Sequence, residues 1–102
     1  MKIMKTPKTF FFHGITKDKH RFTLCGKEGK SFKWFICSIS ICSKNDIFVK
    51  KIGRNIAEGR LNKKVHTVKF RVENKSCTET IINLGTRLSH KSFNSLKDFF
   101  KL

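Results

Sequence analysis

The first half of the chain alternates apolar and polar positions in a pattern that predicts three β-strands. The third strand is the longest, and its apolar residues fill one face along its whole length and the other face along its first half. A strand that is apolar on both faces is typical of the centre of a sheet. The predicted strands are Lys8–His13, Arg21–Gly26 and Ser31–Ser43, joined by turns at Gly14–Lys19 and Lys27–Lys30.

The apolar spacing then changes to one residue in every three or four, which predicts an amphipathic helix over Asp46–Gly59. Its expected buried face is a stripe of large apolar side chains four residues apart, with smaller residues beside them. Gly59 is expected just after the last helical residue, in the left-handed conformation that often ends a helix. The stripe consists of Phe48, Ile52 and Ile56, flanked by Val49, Gly53 and Ala57, and the candidate N-caps are Ser43, Asn45 and Asp46.

The second half of the chain predicts one further strand and a helical end. Arg60–Lys64 is expected to be a basic turn, and the strict alternation over His66–Glu73 indicates a strand. Thr78–Leu88 fits either a short helix or a strand broken at Gly85, and both alternatives stay open. The last segment, Ser92–Leu102, is predicted to be a helix.

This order of elements predicts an α+β fold, with a β-β-β-α-β core built on a mainly antiparallel sheet. We expect residues 1–102 to form a single domain, with a packed amphipathic helix, a helical C-terminal tail and the helices on one face of the sheet. The longest apolar stretch, Trp34–Cys42, contains Ser38 and Ser40 and is too short to span a bilayer. The chain also lacks the apolar run of a secretory signal, so we expect a cytoplasmic protein without a membrane partner.

Charge dominates the composition, since 23 Lys and Arg residues stand against 7 Asp and Glu residues, giving a formal net charge of +16. Like charges at this density repel one another in a compact chain, and a polyanionic partner relieves the repulsion. Nucleic acid, a nucleotide or an acidic protein face is the expected partner. The alternative is a lysine-rich surface that only interacts with water. Because 18 of the 23 cations are Lys, loose attraction of anions is favoured over sequence-specific base recognition.

Much of the basic charge falls in the predicted helix and turn, which points to a phosphate-binding surface. Contacts of this kind give an affinity that falls steeply with salt. Arg54 and Arg60 are of special interest because a guanidinium group can bind a phosphate through two parallel hydrogen bonds. The predicted phosphate-binding residues are Lys50, Lys51, Arg54, Arg60, Lys63, Lys64, Lys69 and Arg71.

Trp34 is the candidate stacking ring, since proteins that bind single-stranded nucleic acid place aromatic rings beside positive grooves. It shares one strand face with Phe32 and Ile36, ahead of two serines. The alternative places this ring in a small second core, against Phe10–Phe12 of the first strand. The choice depends on whether the helices leave that face of the sheet open.

The residues that carry chemistry do not form a recognisable catalytic or metal-binding motif. The seven carboxylates are scattered, and the sequence contains no nucleophile-elbow, phosphate-loop or zinc-protease pattern. His13, His20 and Cys25 lack the spacing of zinc ligands. Cys77 could pair with His66 or His90 as nucleophile and base, but no third group is evident to orient such a pair. We therefore expect no catalytic residue, no metal site and no cofactor, and four reduced cysteines.

The segment Cys42–Leu61 resembles one found in small uncharacterised basic proteins encoded by tailed bacteriophages. Those proteins also run from a strand ending in Cys-Ser into a basic helix of the form F-x-K-K-x-G-R-x-I-A-x-G-R. The resemblance covers about a fifth of the chain and implies a phage origin and expression in a bacterial cytoplasm, without carrying over an activity. The matching residues are Phe48, Lys50, Lys51, Gly53, Arg54, Ile56, Ala57, Gly59 and Arg60.

The first functional hypothesis is a non-enzymatic protein that binds a phosphate-bearing ligand, either nucleic acid or a nucleotide. Two alternatives stay open. A phage product of this size could inhibit a host protein or a host defence system through protein–protein contacts, or it could sequester nucleotides as an oligomer. The sequence leaves the oligomeric state undetermined.

Overall fold

The computed structural model of the protein describes residues 9–29, 34–72 and 76–102. This part of the chain contains four strands and three helices, which confirms the predicted α+β class. Predicted strand residues 8, 31–33 and 73 lie outside the described ranges. The elements are β1 (Thr9–Ile15), β2 (Arg21–Glu28), β3 (Trp34–Ile41), α1 (Lys50–Lys63), β4 (Thr67–Arg71), α2 (Cys77–Ser89) and α3 (Phe93–Phe100).

The strands form one antiparallel sheet in the order β1-β2-β3-β4, so each strand pairs with the next one along the chain. The register places Leu24 of β2 between Phe12 of β1 and Ile39 of β3. The third strand lies between two others, as its two apolar faces predicted. The short strand β4 pairs with β3 only as far as Ser38, so the last three residues of β3 have no β4 residue opposite them.

One face of the sheet carries the larger core, which α2 and α3 cover. The helix α2 packs on β1 and β2, and α3 packs near β4. Gly85 lets α2 lie close to β1, because a Cβ atom at this position would collide with the ring of Phe12. The buried residues of this core are Phe22, Leu24, Phe35, Cys37, Ile39, Ile81, Leu84, Leu88, Leu96 and Phe100.

The other face is covered by α1, which lies across β2 and β3. A smaller core of Cys25, Ala57 and Leu61 forms there, with Phe11 and Ile36 packed against it. The sequence pattern predicted all helices on one face, and that prediction is wrong. Because β2 and β3 bury side chains on both faces, each face of the sheet needs its own helical cover.

The ends of α1 also differ from those predicted. The helix begins at Lys50, after the predicted start at Asp46, and it continues past Gly59. The predicted turn Arg60–Lys64 is therefore wrong, since its first four residues are helical. Burial of the Leu61 side chain, which is 1% exposed, favours continuing the helix against the cost of an internal glycine, about 1 kcal/mol.

The buried face of α1 is the row of Gly53, Ala57 and Leu61 rather than the predicted isoleucine stripe. Ile52 is 56% exposed and Ile56 is 43% exposed, so the prediction that these two side chains face the sheet is wrong. The small residues Gly53 and Ala57 let the first part of the helix backbone lie nearer to the strands than isoleucines would. The helix is accordingly rotated about its axis relative to the prediction.

Two polar contacts fix this rotation. The Ser38 hydroxyl donates a hydrogen bond to the Ala57 carbonyl at 2.5 Å, and the Arg60 guanidinium donates one to the Ile39 carbonyl at 2.8 Å. Gly53 lies so close to β2 that an added Cβ atom would be 2.5 Å from the hydroxyl oxygen of Thr23. A buried hydroxyl with no partner is costly, so the Ser38 bond holds the helix in register with the sheet.

The ambiguous segment after β4 is helical, because α2 begins at Cys77 with Ser76 as its N-cap. The Ser76 hydroxyl oxygen accepts a hydrogen bond from the Glu79 amide at 3.1 Å. The predicted final helix is also confirmed, with Leu96 and Phe100 buried. No helix in the described part of the chain is long and apolar enough to cross a membrane.

Candidate anion-binding site

The basic residues of α1 divide between the two flanks of the helix. Lys50 and Arg54 act electrostatically on His13 of β1. The Arg60 guanidinium instead donates to the Ile39 carbonyl of β3. Because β2 lies between β1 and β3, Arg54 and Arg60 face opposite ways and do not form a shared phosphate site.

A positive cluster forms around the ring of Phe48, in the loop before α1. The Arg21 guanidinium carbon of β2 lies 5.5 Å from the centre of this ring. The His13 imidazole lies 5.8 Å from it, edge to face, and its Nδ1 atom is hydrogen-bonded to the Thr23 hydroxyl at 2.9 Å. We call this group, which joins two strands and a helix, the His13 cluster; it comprises His13, Arg21, Lys50 and Arg54.

The electrostatic field at the His13 cluster is positive. Partial burial lowers the pKa of His13 below its usual value, and the positive charges of Lys50 and Arg54 lower it further. The start of α1 adds to this field, since the N-cap residue Val49 makes no side-chain cap and the first turn contains no acidic residue. The unpaired amides and the dipole of a helix N-terminus both favour a negative charge nearby.

The other predicted cations of α1 lie along the helix. Lys51 is exposed near its start, and Lys63 and Lys64 are exposed at its C-terminal end. A helix of 14 residues is roughly 20 Å long, so these groups cannot all contact one phosphate. They can contact successive phosphates of a polymer.

Lys69 and Arg71 lie with Trp34 at the far end of the β3–β4 pair. Trp34 is opposite Arg71 in the register, and the Lys69 ammonium lies 5.6 Å from the Trp34 ring centre. Trp34 is 39% exposed, so part of its ring remains open to a ligand. Arg71 also lines a shallow cleft of about 510 Å³ between β4 and α2, together with Asn83 and Arg87.

Three of the four cysteines, Cys25, Cys37 and Cys77, are poor nucleophiles. Burial raises the pKa of Cys25 to about 12 and raises that of Cys37 as well. Burial and a hydrogen bond to Glu28 raise the pKa of Cys77 to about 11. Thiols in this state stay protonated at neutral pH and react slowly. Among the described residues, no group of His, Cys, Asp and Glu could hold a metal ion.

Two members of the His13 cluster were not predicted as ligand contacts. Arg21 begins β2 directly after Lys19 and His20, outside the basic helix-and-turn segment, and the sequence offers His13 only as a candidate metal ligand. Both reach the start of α1 through the β1–β2 register and the position of the helix above the sheet. The alternation of side chains along β1 and β2 is enough to place His13 and Arg21 on the same face of the sheet. It does not show that Lys50 and Arg54 lie beside them.

Comparison with protein-family models, curated proteins and solved structures finds no match to this chain. A functional assignment therefore depends on the geometry and charge of the molecule.

Proposed function

We propose that the protein is a non-enzymatic binding protein for a phosphate-bearing ligand, nucleic acid or nucleotide, with the His13 cluster at the centre of its site. The observation that carries the proposal is that cations from two elements meet around His13: Arg21 of β2 lies with His13 on the half-buried Phe48 ring, and Lys50 and Arg54 of α1 act on His13. Such a concentration of like charge is unfavourable unless an anion relieves it. Guanidinium, ammonium and helix amides together supply the donors that a phosphate accepts.

The spread of the remaining cations favours a polymer within this ligand class. Lys51, Lys63 and Lys64 extend the positive surface along the roughly 20 Å of α1, beyond the reach of one nucleotide. Each phosphate neutralised releases counterions, so the affinity should fall with salt with a slope that counts the contacts. A mononucleotide would instead engage the His13 cluster alone and show a shallow salt dependence.

The charge-reversal variant Arg21→Glu/Arg54→Glu tests the site. We expect at least a tenfold loss of affinity for a short DNA or RNA duplex and for single strands, with a shallower salt slope, because two contacts become repulsive. Affinity is measured by fluorescence anisotropy at several salt concentrations, and folding is checked by circular dichroism.

The matched control is Lys91→Glu/Lys101→Glu, which changes the net charge equally but alters exposed residues outside the His13 cluster. Its affinity should fall much less than that of the first variant. Equal losses for both variants would show that only net charge matters and would remove the assignment to the His13 cluster.

We also propose a biological setting, which the resemblance of Cys42–Leu61 to phage proteins supports. In this setting the protein is encoded by a phage and acts in the cytoplasm of its bacterial host. Nuclease treatment of a host lysate before pull-down separates the ligand classes. Loss of all bound material on nuclease treatment supports nucleic acid. One stoichiometric protein that remains bound would favour an inhibitor of a host protein or defence system instead.

A further inference from the structure

A groove beside α1 carries a concentration of exposed apolar side chains in the described part of the chain. It has a volume of about 590 Å³ and lies between the loop before α1, the end of β3 and one flank of the helix. Ile47 is 89% exposed and Val49 is 44% exposed, next to the exposed Ile52 and Ile56. Contiguous exposed apolar surface of this kind marks interaction sites on soluble domains. We call it the α1 groove, lined by Ile41, Ile47, Phe48, Val49, Ile52 and Ile56.

The exposure of the isoleucines is fixed by the packing of α1. Turning Ile52 and Ile56 toward the sheet would break the Ser38 bond to the Ala57 carbonyl and the Arg60 bond to the Ile39 carbonyl. The rotation would also put branched side chains in place of Gly53 and Ala57, where the helix lies close to β2. The apolar flank is therefore a stable feature of the folded surface.

The free end of β3 lies beside the same groove. Residues Ile39–Ile41 have no β4 residue opposite, since the β3–β4 pairing ends at Ser38. The Cys42 amide donates to the Arg21 carbonyl of β2, so by alternation the backbone groups of Ile41 point away from β2, toward the open edge. Arg60 already bonds the Ile39 carbonyl, so the edge is open at Ile41, where it is a template for the end of an added extended segment.

Charge selects the occupant of the α1 groove. The Arg60 guanidinium lies at the Ile39 carbonyl, one helical turn beyond Ile56 of the groove, and Lys63 follows it at the end of the helix. Asp46 lines the opposite, loop end of the groove, so an acidic occupant would place its carboxylates at the Arg60 end. A second copy of the chain would bring a second charge of +16 against the first, and like-charge contact opposes association. Nucleic acid would find a single aromatic ring, Phe48, among the lining residues, and the aliphatic side chains beside it offer no further platform on which bases stack.

We propose that the α1 groove binds an extended acidic segment of another protein. Its apolar side chains would fill the space over Ile52 and Ile56, its backbone would lie along the free edge at Ile41, and its carboxylates would face Arg60 and Lys63. This surface is separate from the His13 cluster, although Phe48 touches both. The inference therefore does not depend on phosphate binding.

A synthetic peptide of alternating glutamate and isoleucine, fluorescently labelled, is the probe. We expect it to bind the wild-type chain, and to bind the variant Ile52→Ser/Ile56→Ser at least tenfold more weakly. The matched control, Ile82→Ser on α2, removes one equally exposed apolar side chain elsewhere and should leave binding unchanged. Because the replaced side chains are exposed, the variants should keep the wild-type circular dichroism and melting temperature, and Val49→Ser provides a second groove variant.

Two further peptides separate charge from shape. Polyglutamate of equal length should bind at least tenfold more weakly than the alternating peptide, and the lysine–isoleucine version should not bind. Methylation of alternate backbone amides should weaken binding by preventing strand addition. The bound peptide should also slow alkylation of Cys42, which lines the groove.

Other outcomes would overturn the proposal. Equal binding of the alternating peptide to wild type and to Ile52→Ser/Ile56→Ser would remove the groove as the site. A concentration-dependent dimer that the same variant abolishes in sedimentation would assign the groove to a second copy. Loss of DNA affinity in this variant would assign the groove to nucleic acid, whereas unchanged DNA affinity keeps the two surfaces distinct.

Discussion

Arg60 shows how one residue type takes different roles at different positions. Its guanidinium bonds to the Ile39 carbonyl at 2.8 Å and ties α1 to the end of β3, where β4 supplies no partner. Arg54, six residues earlier, faces His13 and contributes to the positive field instead. The two arginines look equivalent in the sequence. The fold makes Arg60 a positioning residue for α1 and makes Arg54 a candidate ligand contact.

Replacing Arg60 should therefore affect stability more than its charge alone predicts. We expect Arg60→Ala to lower the free energy of unfolding by about 1–2 kcal/mol, because it removes a charge-assisted hydrogen bond to a part-buried carbonyl. Lys63→Ala, at the exposed last residue of the helix, should change the free energy of unfolding by less than about 0.5 kcal/mol. Guanidinium unfolding measures both, and equal values would contradict the anchoring role.

The pKa of His13 reports on the field of the cluster. Arg54→Ala should raise the pKa of His13, because it removes a nearby positive charge. A bound phosphate-bearing ligand should raise it as well, by adding negative charge. NMR titration of the imidazole measures both shifts. If the pKa of His13 is unchanged at a saturating concentration of nucleic acid, the ligand binds elsewhere.

The sign of the pH effect on stability follows from the same pKa. His13 has a lower pKa in the folded state than in the unfolded chain, whose usual value is about 6.5. The unfolded state therefore binds a proton more readily below that pH, and the contribution of His13 to stability is lost as the pH falls through this range. In Arg54→Ala the loss should be smaller.

At the scale of elements, the placement of α1 decides which surfaces the molecule presents. Packing through Gly53 and Ala57 turns Ile52 and Ile56 outward and creates the α1 groove. The same placement brings Lys50 and Arg54 to the His13 side. One rotation of one helix thus sets both candidate surfaces.

A pair of glycine substitutions tests this placement. Gly53→Ala should destabilise the protein by about 1 kcal/mol or more, because its Cβ atom would lie 2.5 Å from the Thr23 hydroxyl oxygen. Gly59→Ala should stabilise it by about 0.5–1 kcal/mol, since no described atom beyond the neighbouring helix backbone lies within 4 Å of the added group and alanine favours the helix. Thermal and denaturant unfolding give both values, and stabilisation by Gly53→Ala would show that α1 lies farther from β2.

At the scale of the whole molecule, the sheet is enclosed between α1 on one face and α2 with α3 on the other. Long-range contacts join these layers: the carboxylate of Asp18, in the turn after β1, accepts hydrogen bonds from the Phe93 amide at 3.0 and 3.2 Å. Hydrogen bonds from Thr16 and Phe93 hold the pKa of Asp18 below its usual value. The charged carboxylate is thus the form that caps α3.

Thiol reactivity should reveal the enclosed sheet. Cys25 and Cys37 are fully buried on opposite faces of the sheet, and burial raises the pKa of each. We expect Cys42 and Cys77, which are only half-buried, to react with iodoacetamide first at pH 8. Mass spectrometry over time separates the sites. Modification of Cys25 before global unfolding would mean that α1 detaches from the sheet on its own.

Sequence alone determined the strands, the existence and type of most helices, the α+β class and the excess of positive charge. These properties come from local spacing and composition, which neighbouring residues set. It also located the basic residues of α1, although not which flank of the helix each one occupies.

Tertiary structure decided the rest: helices on both faces of the sheet, the rotation and ends of α1, and the meeting of His13 and Arg21 with Lys50 and Arg54. The periodicity of α1 is compatible with two buried faces, one that contains Gly53 and Ala57 and one that contains Ile52 and Ile56. Only close packing on β2 and β3, with partners for Ser38 and the Ile39 carbonyl, selects between them. Hydrogen bonds between residues that are far apart in the chain leave no local sequence pattern. Their partners are therefore known only from the folded structure.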